Sequence, residues 1–254
     1  MTTYFISDIH LHAESKAQQK LLLEFLQTRG KTADAVYILG DLFAIWLGDD
    51  LHEPYSVALI NTLQDLAAHK VPLYFMRGNR DFLIGKRFCR ESGCKLLQDP
   101  CTIDLYGQKV LLTHGDQLCT LDASYQKFRR IVQNPILKNI FLLLPIRIRK
   151  KLGAWIKSKS HRPKDPVTYD VAQSTVNEWF IQHNVKTMIH GHTHMPAIHD
   201  VAGTKRLVLG DWTPSSAKIL VATNNELMLE DLSSKQDQVR TYLRSAQLNY
   251  PSVL

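Results

Sequence analysis

The chain has 254 residues, of which 44% are hydrophobic, and its nine Phe and nine Tyr suffice for the core of an ordinary globular domain. No apolar stretch approaches the ~20 residues that a membrane-spanning helix needs. The first residues lack the basic region of a signal peptide, so we expect a cytoplasmic protein. The four cysteines form neither a C-x-x-C pair nor a zinc-finger spacing, and we expect them to be reduced.

The net charge of +7 is unevenly distributed along the chain. Residues 123–164 contain twelve Lys or Arg and no Asp or Glu, which leaves 19 basic against 24 acidic residues elsewhere. A block of like charge is usually a solvated face or an interaction surface. This block also contains the most apolar run of the chain, at residues 140–146, so a solvated face alone does not account for it.

The first 118 residues alternate between predicted strands and predicted helices. Apolar runs predict buried strands at residues 4–6, 35–39, 73–76 and 110–112. Helical spacing predicts helices at residues 14–28, 54–69 and 85–92. Strands joined by single helices form a parallel sheet with right-handed crossovers, so the expected fold class is α/β.

The pattern changes after residue 118. Helices are predicted at residues 124–132, 135–144, 145–157 and 168–183, the first three punctuated by Pro135 and Pro145. Strands are predicted again at residues 187–189, 207–209, 218–222 and 226–229. We interpret residues 123–167 as a helical cap inserted into a core formed by residues 1–122 and 168–230. Residues 231–254 form a C-terminal tail whose role stays open.

A polar cluster follows each of five predicted strands. These clusters contain seven candidate metal ligands: Asp8, His10, Asp41, Asn79, His114, His192 and His194. In open α/β sheets the carboxyl ends of the strands form the crevice in which ligands bind. Oxygen and imidazole ligands without a thiolate suit Mn²⁺, Fe²⁺ or Zn²⁺. The sequence therefore predicts a metal-dependent phosphoester or pyrophosphate hydrolase.

Two adjacent metals need one ligand that bridges them, and Asp41 is the natural choice. A metal pair about 3.5–4 Å apart ionises a bridging water and holds the phosphoryl oxygens during an in-line displacement. We therefore expect the attacking water to be held through Asp41.

The order of the five clusters resembles that of the calcineurin-like metallophosphoesterases. The matching motifs are Asp8-x-His10, Gly40-Asp41, Gly78-Asn79-x-Asp81, His114-Gly115-Asp116 and Gly191-His192-x-His194. The resemblance covers residues 1–230 and implies a sandwich of largely parallel or mixed sheets flanked by helices. It implies one metal held by Asp8, His10, Asp41 and His194, and a second held by Asp41, Asn79, His114 and His192.

Arg80 departs from the pattern of this family, most members of which have His at that position. Arg does not act as a general acid near neutral pH, but its planar guanidinium suits a bidentate grip on phosphate. A site without the acid suits a leaving group that departs without a proton, such as a nucleoside monophosphate from a pyrophosphate bond. We therefore expect Arg80 to contact phosphate.

Longer strings closely resemble the UDP-2,3-diacylglucosamine diphosphatases of lipid A biosynthesis. They are SDIHL at 7–11, YILGDLF at 37–43, GNRDFL at 78–83, GKRF at 85–88 and HGDQLCT at 114–120. The resemblance implies cleavage of UDP-2,3-diacylglucosamine to UMP and 2,3-diacylglucosamine 1-phosphate with two Mn²⁺ per chain. It implies a peripheral protein on the cytoplasmic face of the bacterial inner membrane. The implied substrate contacts are Asn79, Arg80, Asp122, Ser160, Lys164 and His192.

The predicted cap suits an acylated substrate. Its apolar run is followed by a basic group made up of Arg147, Arg149, Lys150 and Lys151. A helix that is both basic and apolar is typical of attachment to an anionic membrane surface, and its apolar side chains also suit two acyl chains. The alternative is that residues 141–144 pack the cap onto the sheet. The two roles are compatible, because one face of a helix can pack against the sheet while the other binds lipid.

Two other functions stay open. Another calcineurin-like phosphodiesterase or a nuclease would use the basic cap to follow a nucleic-acid backbone. Base stacking needs exposed aromatic rings, and the cap is mainly aliphatic, so we expect no nucleic-acid partner. A non-catalytic binding module on the same fold would have lost metal ligands, whereas all seven are present. We expect a monomer.

Overall fold

Two β-sheets packed face to face form the framework of the computed structural model, which describes residues 1–160 and 170–233. The first sheet has seven strands: β1 (Thr3–Ile6), β2 (Ala35–Leu39), β3 (Leu73–Met76), β4 (Lys95–Leu97), β10 (Trp212–Thr213), β11 (Ser216–Ala222) and β12 (Leu227–Asp231). The second has five: β5 (Cys101–Leu105), β6 (Gln108–Thr113), β7 (Thr187–His190), β8 (Ala197–Val201) and β9 (Thr204–Val208).

The strands that precede the polar clusters are neighbours within each sheet. In the first sheet β1, β2, β3 and β4 are parallel, whereas β11 pairs antiparallel with β1, β10 and β12. In the second sheet β6, β7 and β9 are parallel, and β5 and β8 form antiparallel edges. The mixed sheets confirm the predicted fold class, and the parallel strands of each sheet direct their carboxyl ends to one edge.

Seven α-helices lie within the described residues: α1 (Lys16–Gln27), α2 (Pro54–Ala68), α3 (Lys86–Ser92), α4 (Ala123–Val132), α5 (Pro135–Leu143), α6 (Ile146–Ser160) and α7 (Gln173–His183). The bounds of α1 to α5 agree with the predicted bounds to within two residues. Helix α2 begins at Pro54 because proline is tolerated in the first turn, and because Glu53 and Ser56 form a reciprocal capping box.

The sequence does not predict β4, β5, β8 and β10. Strand β5 alternates half-buried and exposed side chains, and β10 has only two residues, so neither presents an apolar run. Helix α6 runs to Ser160, three residues beyond its predicted end, and α7 begins five residues after its predicted start. Residues 161–169 and 234–254 lie outside the described residues. The division into core, cap and tail stays a prediction.

Alternate side chains of the central strands enter two different apolar layers. Tyr4 and Ile6 of β1 belong to a cluster with residues of α1 and α2, whereas Phe5 packs with Leu112 and Ile189 of the second sheet. A period of two with both faces buried is that of a strand between two layers. On the outer face of the second sheet, α7 packs through a separate cluster. The result is a helix–sheet–sheet–helix sandwich.

Arg149 of α6 fastens the cap helices to the core. It is only 2% exposed. Its guanidinium donates to the carbonyl oxygens of Leu47 at 2.6 Å and Leu144 at 3.0 Å, and it forms an ion pair with Asp50. The expectation that Arg149 belongs to an exposed basic surface is therefore wrong, because its charge is satisfied inside the protein.

Replacing Arg149 with Met should loosen this attachment. Met fills part of the same volume but loses the hydrogen bonds, so we expect the free energy of unfolding in urea to fall by about 1–3 kcal/mol. The matched control is Lys150→Met, because Lys150 pairs with Glu53 at the exposed surface. Such surface pairs contribute about 1 kcal/mol or less. Equal losses for the two variants would contradict the role assigned to Arg149.

Candidate metal centre

The seven candidate ligands lie together where the strand ends of the two sheets meet. The segments after β1, β2 and β3 carry Asp8, His10, Asp41 and Asn79 of the first sheet. The segments after β6 and β7 carry His114, His192 and His194 of the second. Because neither sheet alone holds the whole set, the site depends on the packing of one sheet against the other.

One half of the site gathers Asp8, His10 and His194. The Nε2 atoms of His10 and His194 are 3.2 Å apart, and His194 Nε2 is 3.3 Å from Asp8 Oδ1. Two ring nitrogens at this separation cannot both carry a proton directed at the other, so at least one presents a lone pair. Candidate ligand atoms of the three side chains all lie within 4.8 Å of one another, which suits a single metal ion.

The other half gathers Asn79, His114 and His192. Asn79 Oδ1 is 2.9 Å from His192 Nδ1 and 3.0 Å from His114 Nε2. Asp41 faces both halves, because its Oδ1 is 3.7 Å from His114 Nε2 and its Oδ2 is 3.8 Å from His10 Nδ1. One carboxylate oxygen directed to each half is the arrangement that a bridging ligand requires.

Five of the seven residues have a left-handed backbone conformation, which is unusual outside glycine. The φ angles are 54° for Asp8, 53° for His10, 53° for Asp41, 71° for His192 and 58° for His194. Each such residue costs roughly 1–3 kcal/mol and persists only where its surroundings fix it. Strain that recurs at five candidate ligands marks a functional site, because local stability alone would select against it.

Backbone groups hold the carboxylates in place. Asp8 Oδ2 accepts hydrogen bonds from Ser7 Oγ at 2.5 Å and from the amide of His192 at 2.9 Å. Asp81 accepts from the amides of Gly78 and Leu42, at 2.7 and 2.8 Å. A Cβ at Gly78 would collide with Asp41, so only glycine fits there. Partners of this kind orient metal ligands and fix their charge.

The electrostatics of the site fit a bound cation. Burial raises the pKa of Asp41 to about 7, reinforced by the charges of Asp81 and Asp8 and opposed by His114. Burial lowers the pKa of His10 and His192 to about 3, so both rings are neutral and have lone pairs at neutral pH. Buried carboxylates beside neutral imidazoles form a donor set for divalent ions.

His114 has the opposite behaviour. Burial opposes its protonation, but the carboxylates of Asp41, Asp8 and Asp116 outweigh burial and raise its pKa to about 9. Its Nδ1 lies 2.9 Å from the Leu39 carbonyl oxygen, so Nδ1 donates there and the second proton sits on Nε2, toward the site. A metal ion takes the place of such a proton when a histidine becomes a ligand.

Asp8 Oδ1 supplies a direct test of whether a metal fits. This atom is buried and receives no hydrogen bond of good geometry from residues 1–160 or 170–233, although His194 Nε2 lies 3.3 Å away. A buried carboxylate oxygen without a hydrogen bond is costly. Coordination to a cation removes that cost, so the residues present fit a metal ion. The assignment of each ligand to one of two metals stays a prediction.

A cavity of about 630 Å³ opens beside the second half of the site. Its polar floor includes Asn79, Arg80 and His192. Its walls are largely apolar and come from the core and from the cap helices, with Ile45, Trp46, Leu83, Phe128, Ile131, Leu137, Phe141 and Ile156 among them. Ligand pockets typically have volumes of about 300–1,000 Å³ and this mixture of apolar walls and few polar groups.

The predicted substrate contacts have different environments. Among the described residues the Arg80 guanidinium has no hydrogen-bond or ion-pair partner, so it is available to a ligand. Asp122 is the N-cap of α4 and accepts from the amide of Tyr125 at 2.9 Å. Ser160 is the last residue of α6, with its side chain outside the described part, and Lys164 also lies outside it. These contacts stay predictions.

A network that the sequence reasoning missed joins α4 to the metal centre. Asp116 Oδ2 accepts hydrogen bonds from Tyr125 Oη at 2.6 Å and from Arg129 Nε at 2.7 Å. The Tyr125 ring stacks against His192, with 5.9 Å between centroids. The only signal in the sequence is the position of Asp116, two residues after His114. Tyr125 and Arg129 reach Asp116 because of the way α4 packs on the core, and the sequence does not predict that packing.

Comparisons with known proteins identify a family. A family model for calcineurin-like phosphoesterases matches residues 1–196. A UDP-2,3-diacylglucosamine hydrolase of Yersinia pseudotuberculosis (serotype O:1b, strain IP 31758) is 44% identical over 232 residues, which cover 89% of this chain and 97% of that protein. A hydrolase of the same name from Yersinia pestis gives the same values. An archaeal phosphodiesterase of known structure is 12% identical, with a TM-score of 0.48 over 91% of this chain and 99% of its own.

Changing Asp41 to Asn should separate metal binding from folding. The side-chain oxygen of Asn can still accept the hydrogen bond that the Arg80 amide donates to Asp41 at 2.8 Å. The substitution removes a carboxylate that burial makes costly to ionise. We therefore expect the metal-free variant to be at least as stable as the parent. Mn²⁺ at 100 times its Kd should add about 2.7 kcal/mol to the free energy of unfolding of the parent and so raise its Tm. We expect the Asp41→Asn variant to lose this rise in Tm.

The control for this prediction is Asp200→Asn, which removes a carboxylate at the surface, beside Lys205. It should respond to Mn²⁺ as the parent does. A normal Mn²⁺-dependent rise in Tm for Asp41→Asn would refute the bridging role.

Proposed function

The chain belongs to the calcineurin-like phosphoesterases, and we propose that it hydrolyses the pyrophosphate bond of UDP-2,3-diacylglucosamine in lipid A biosynthesis. The products are UMP and 2,3-diacylglucosamine 1-phosphate. Similarity to the Yersinia hydrolases along nearly the whole chain supports this substrate. The observation that carries the proposal is the cavity, whose polar floor and apolar walls match the two parts of a lipid nucleotide.

An acylated sugar nucleotide needs a polar site for its phosphates beside an apolar space for its acyl chains. Arg80 and His192 line the same cavity as Phe128 and Phe141 of the cap. A single ligand therefore reaches the metal centre with its phosphates while its hydrocarbon chains contact α4, α5 and α6. Burying hydrocarbon in this way contributes about 0.8 kcal/mol per CH₂ group.

We propose that two Mn²⁺ ions bind at the metal centre. Asp8, His10, Asp41 and His194 hold one ion, and Asp41, Asn79, His114 and His192 hold the other. When bound, such a pair lowers the pKa of a water molecule and neutralises charge on the phosphoryl oxygens. The oxygen and imidazole donors, without a thiolate, support a metal of this class.

Arg80 binds the substrate and does not serve as a general acid. Its backbone amide donates to Asp41 Oδ1 at 2.8 Å, which ties the position of the Arg80 main chain to that of the bridging ligand. The guanidinium holds a phosphoryl group by two parallel hydrogen bonds. If water attacks the phosphorus that becomes part of UMP, the sugar 1-phosphate leaves instead of the nucleoside monophosphate. A phosphate monoester is a stable anion, so its departure needs no proton donor.

Mass spectrometry of the products tests the proposed reaction. With UDP-2,3-diacylglucosamine in ¹⁸O-labelled water and Mn²⁺, we expect UMP and the sugar 1-phosphate, with the label in UMP. Asp41→Asn should form neither product, because it removes the ligand shared by both metals. Label found only in the sugar 1-phosphate would refute this orientation of the substrate. Lack of turnover by the parent would refute the substrate itself.

The outer face of the cap presents apolar side chains to solvent. Ile136, Ile140 and Leu143 of α5 are 68%, 53% and 84% exposed, and their spacing puts them on one face of the helix. Leu137 and Phe141 lie on an adjacent face of the helix and line the cavity. Both interpretations of the apolar run are therefore supported, because one face packs inward and the other is uncovered. Exposed apolar groups of this kind mark binding surfaces.

We propose that this face binds an anionic membrane surface, which brings the lipid substrate within reach. Arg147 and Lys151, both exposed, supply positive charge at the start of α6. In residues 1–160 and 170–233 no helix has the length and apolar character needed to cross a membrane. The location on the cytoplasmic face of the inner membrane and the monomeric state stay predictions.

Changing Ile136, Ile140 and Leu143 to Ser should weaken co-sedimentation with liposomes that contain anionic phospholipid. Changing Arg147 and Lys151 to Gln should weaken it by about 1 kcal/mol per charge at low salt, and by less as salt screens the surface. Lys20→Gln, on the exposed side of α1, is the control and should bind like the parent. Parent-like binding by both cap variants would show that this face is not the membrane site.

A further inference from the structure

Lys138 is a cation in the wall of the apolar cavity, and the metal centre makes no use of it. It lies on α5, is half-buried and lines the cavity. Its Nζ donates to the Phe82 carbonyl oxygen at 3.4 Å and lies 5.5 Å from the centroid of the Phe82 ring. These contacts place the amine beside the loop that follows β3, two residues beyond Arg80.

No carboxylate pairs with Lys138 in the described part of the chain. Burial lowers its pKa to about 8, and the nearby cations Arg77 and Arg129 add to the effect. The amine is nevertheless mostly protonated at neutral pH. A half-buried ammonium group is costly unless it is hydrogen-bonded. Its hydrogen bond to the Phe82 carbonyl oxygen, at 3.4 Å, is longer than the usual 2.7–3.2 Å range for such bonds.

An ammonium group has three donors, so Lys138 has donors left for a ligand. The ligand atom it suits is an oxygen acceptor that enters the cavity from the side of Arg80. Phe82, whose carbonyl oxygen Nζ contacts, is two residues after Arg80, and both residues line the cavity. Nζ therefore lies in the same cavity as the guanidinium that would hold a phosphate. A diacylated sugar phosphate carries its acyl carbonyl groups on the sugar ring next to its phosphate.

We propose that Lys138 Nζ donates a hydrogen bond to an acyl carbonyl oxygen of the substrate and thereby makes the enzyme selective for acylated sugars. The inference rests on the proposed function and names a specificity determinant within it. The carbonyl oxygens are the last polar atoms before the hydrocarbon chains. A donor at this point satisfies them as the chains pass along Phe128 and Leu137 into the apolar part of the cavity.

The test compares two ligands that differ only in the carbonyl groups. One is 2,3-di-O-acylglucose 1-phosphate, and the other is its 2,3-di-O-alkyl analogue, in which each ester carbonyl is replaced by CH₂, so that neither ligand carries an ionisable amine. Binding to the full chain with Mn²⁺ is measured in detergent micelles. Lys138→Met should weaken binding of the diacyl ligand at least about 10-fold, the loss expected for one hydrogen bond from a charged donor. It should leave the affinity for the dialkyl ligand within about twofold.

Two further variants support the comparison. Lys138→Arg keeps a charged donor and should recover part of the affinity for the diacyl ligand. Lys127→Met, an exposed lysine of α4, should bind both ligands as the parent does. Equal losses for the two ligands would assign Lys138 a general electrostatic or structural role and overturn the proposal. Equal affinity of parent and Lys138→Met for the diacyl ligand would also overturn it.

Turnover separates this inference from the proposed function. If the parent hydrolyses UDP-2,3-diacylglucosamine and Lys138→Met loses no discrimination between the ligands, only the role of Lys138 fails. If the parent binds the diacyl ligand but does not hydrolyse the nucleotide, the proposed reaction fails and the binding comparison still decides the role of Lys138. If the parent binds neither ligand, both fail.

Discussion

The buried negative charge at the strand ends is the constraint on which the rest of the structure depends. Asp8, Asp41 and Asp81 are all buried, and carboxylates so close together in a medium of low dielectric constant repel one another. Backbone amides and His114 offset only part of this cost at Asp41 and Asp81, whose pKa values burial raises, whereas the neighbouring histidines outweigh burial at Asp8 and lower its pKa. The metal-free protein therefore carries an electrostatic strain that divalent cations relieve, and the strained backbone at five candidate ligands is held for the same purpose.

This requirement explains why two sheets are needed. A single parallel sheet lines up its strand ends in one row, which supplies ligands from one side only. In the sandwich, the carboxylates after β1 and β2 face the imidazoles after β6 and β7 across the edge shared by the two sheets. Negative oxygen donors therefore come mainly from one sheet and nitrogen donors mainly from the other. The apolar layer between the sheets, which contains Phe5, Leu112 and Ile189, sets the distance between them.

The central strands and the candidate ligands were predictable from the sequence because both follow local rules. An apolar run followed by Gly-Asp or Gly-Asn predicts a strand and the turn at its end. This prediction does not depend on the rest of the chain. Contacts between distant segments have no such local signal. Nothing in the sequence marks the contact of Asp116 with Tyr125 or that of Arg149 with Asp50. Both contacts form only when the cap folds over the core. Strand β5 was missed for a related reason, since its alternating exposure is defined only by its pairing with β6.

The basic charge of residues 123–164 shows how much such contacts change an interpretation. From the sequence, the twelve cations form a single block that suggests a single surface. In the structure, the buried Arg149 pairs with Asp50 at the surface, and Arg129 pairs with Asp116. Lys138 lines the cavity, whereas Lys127, Arg130, Arg147, Lys150 and Lys151 are exposed. The net charge therefore overstates the attraction of the cap for a membrane. The apolar face of α5 adds its own share to any binding there, beside the cations that the described part of the cap leaves exposed.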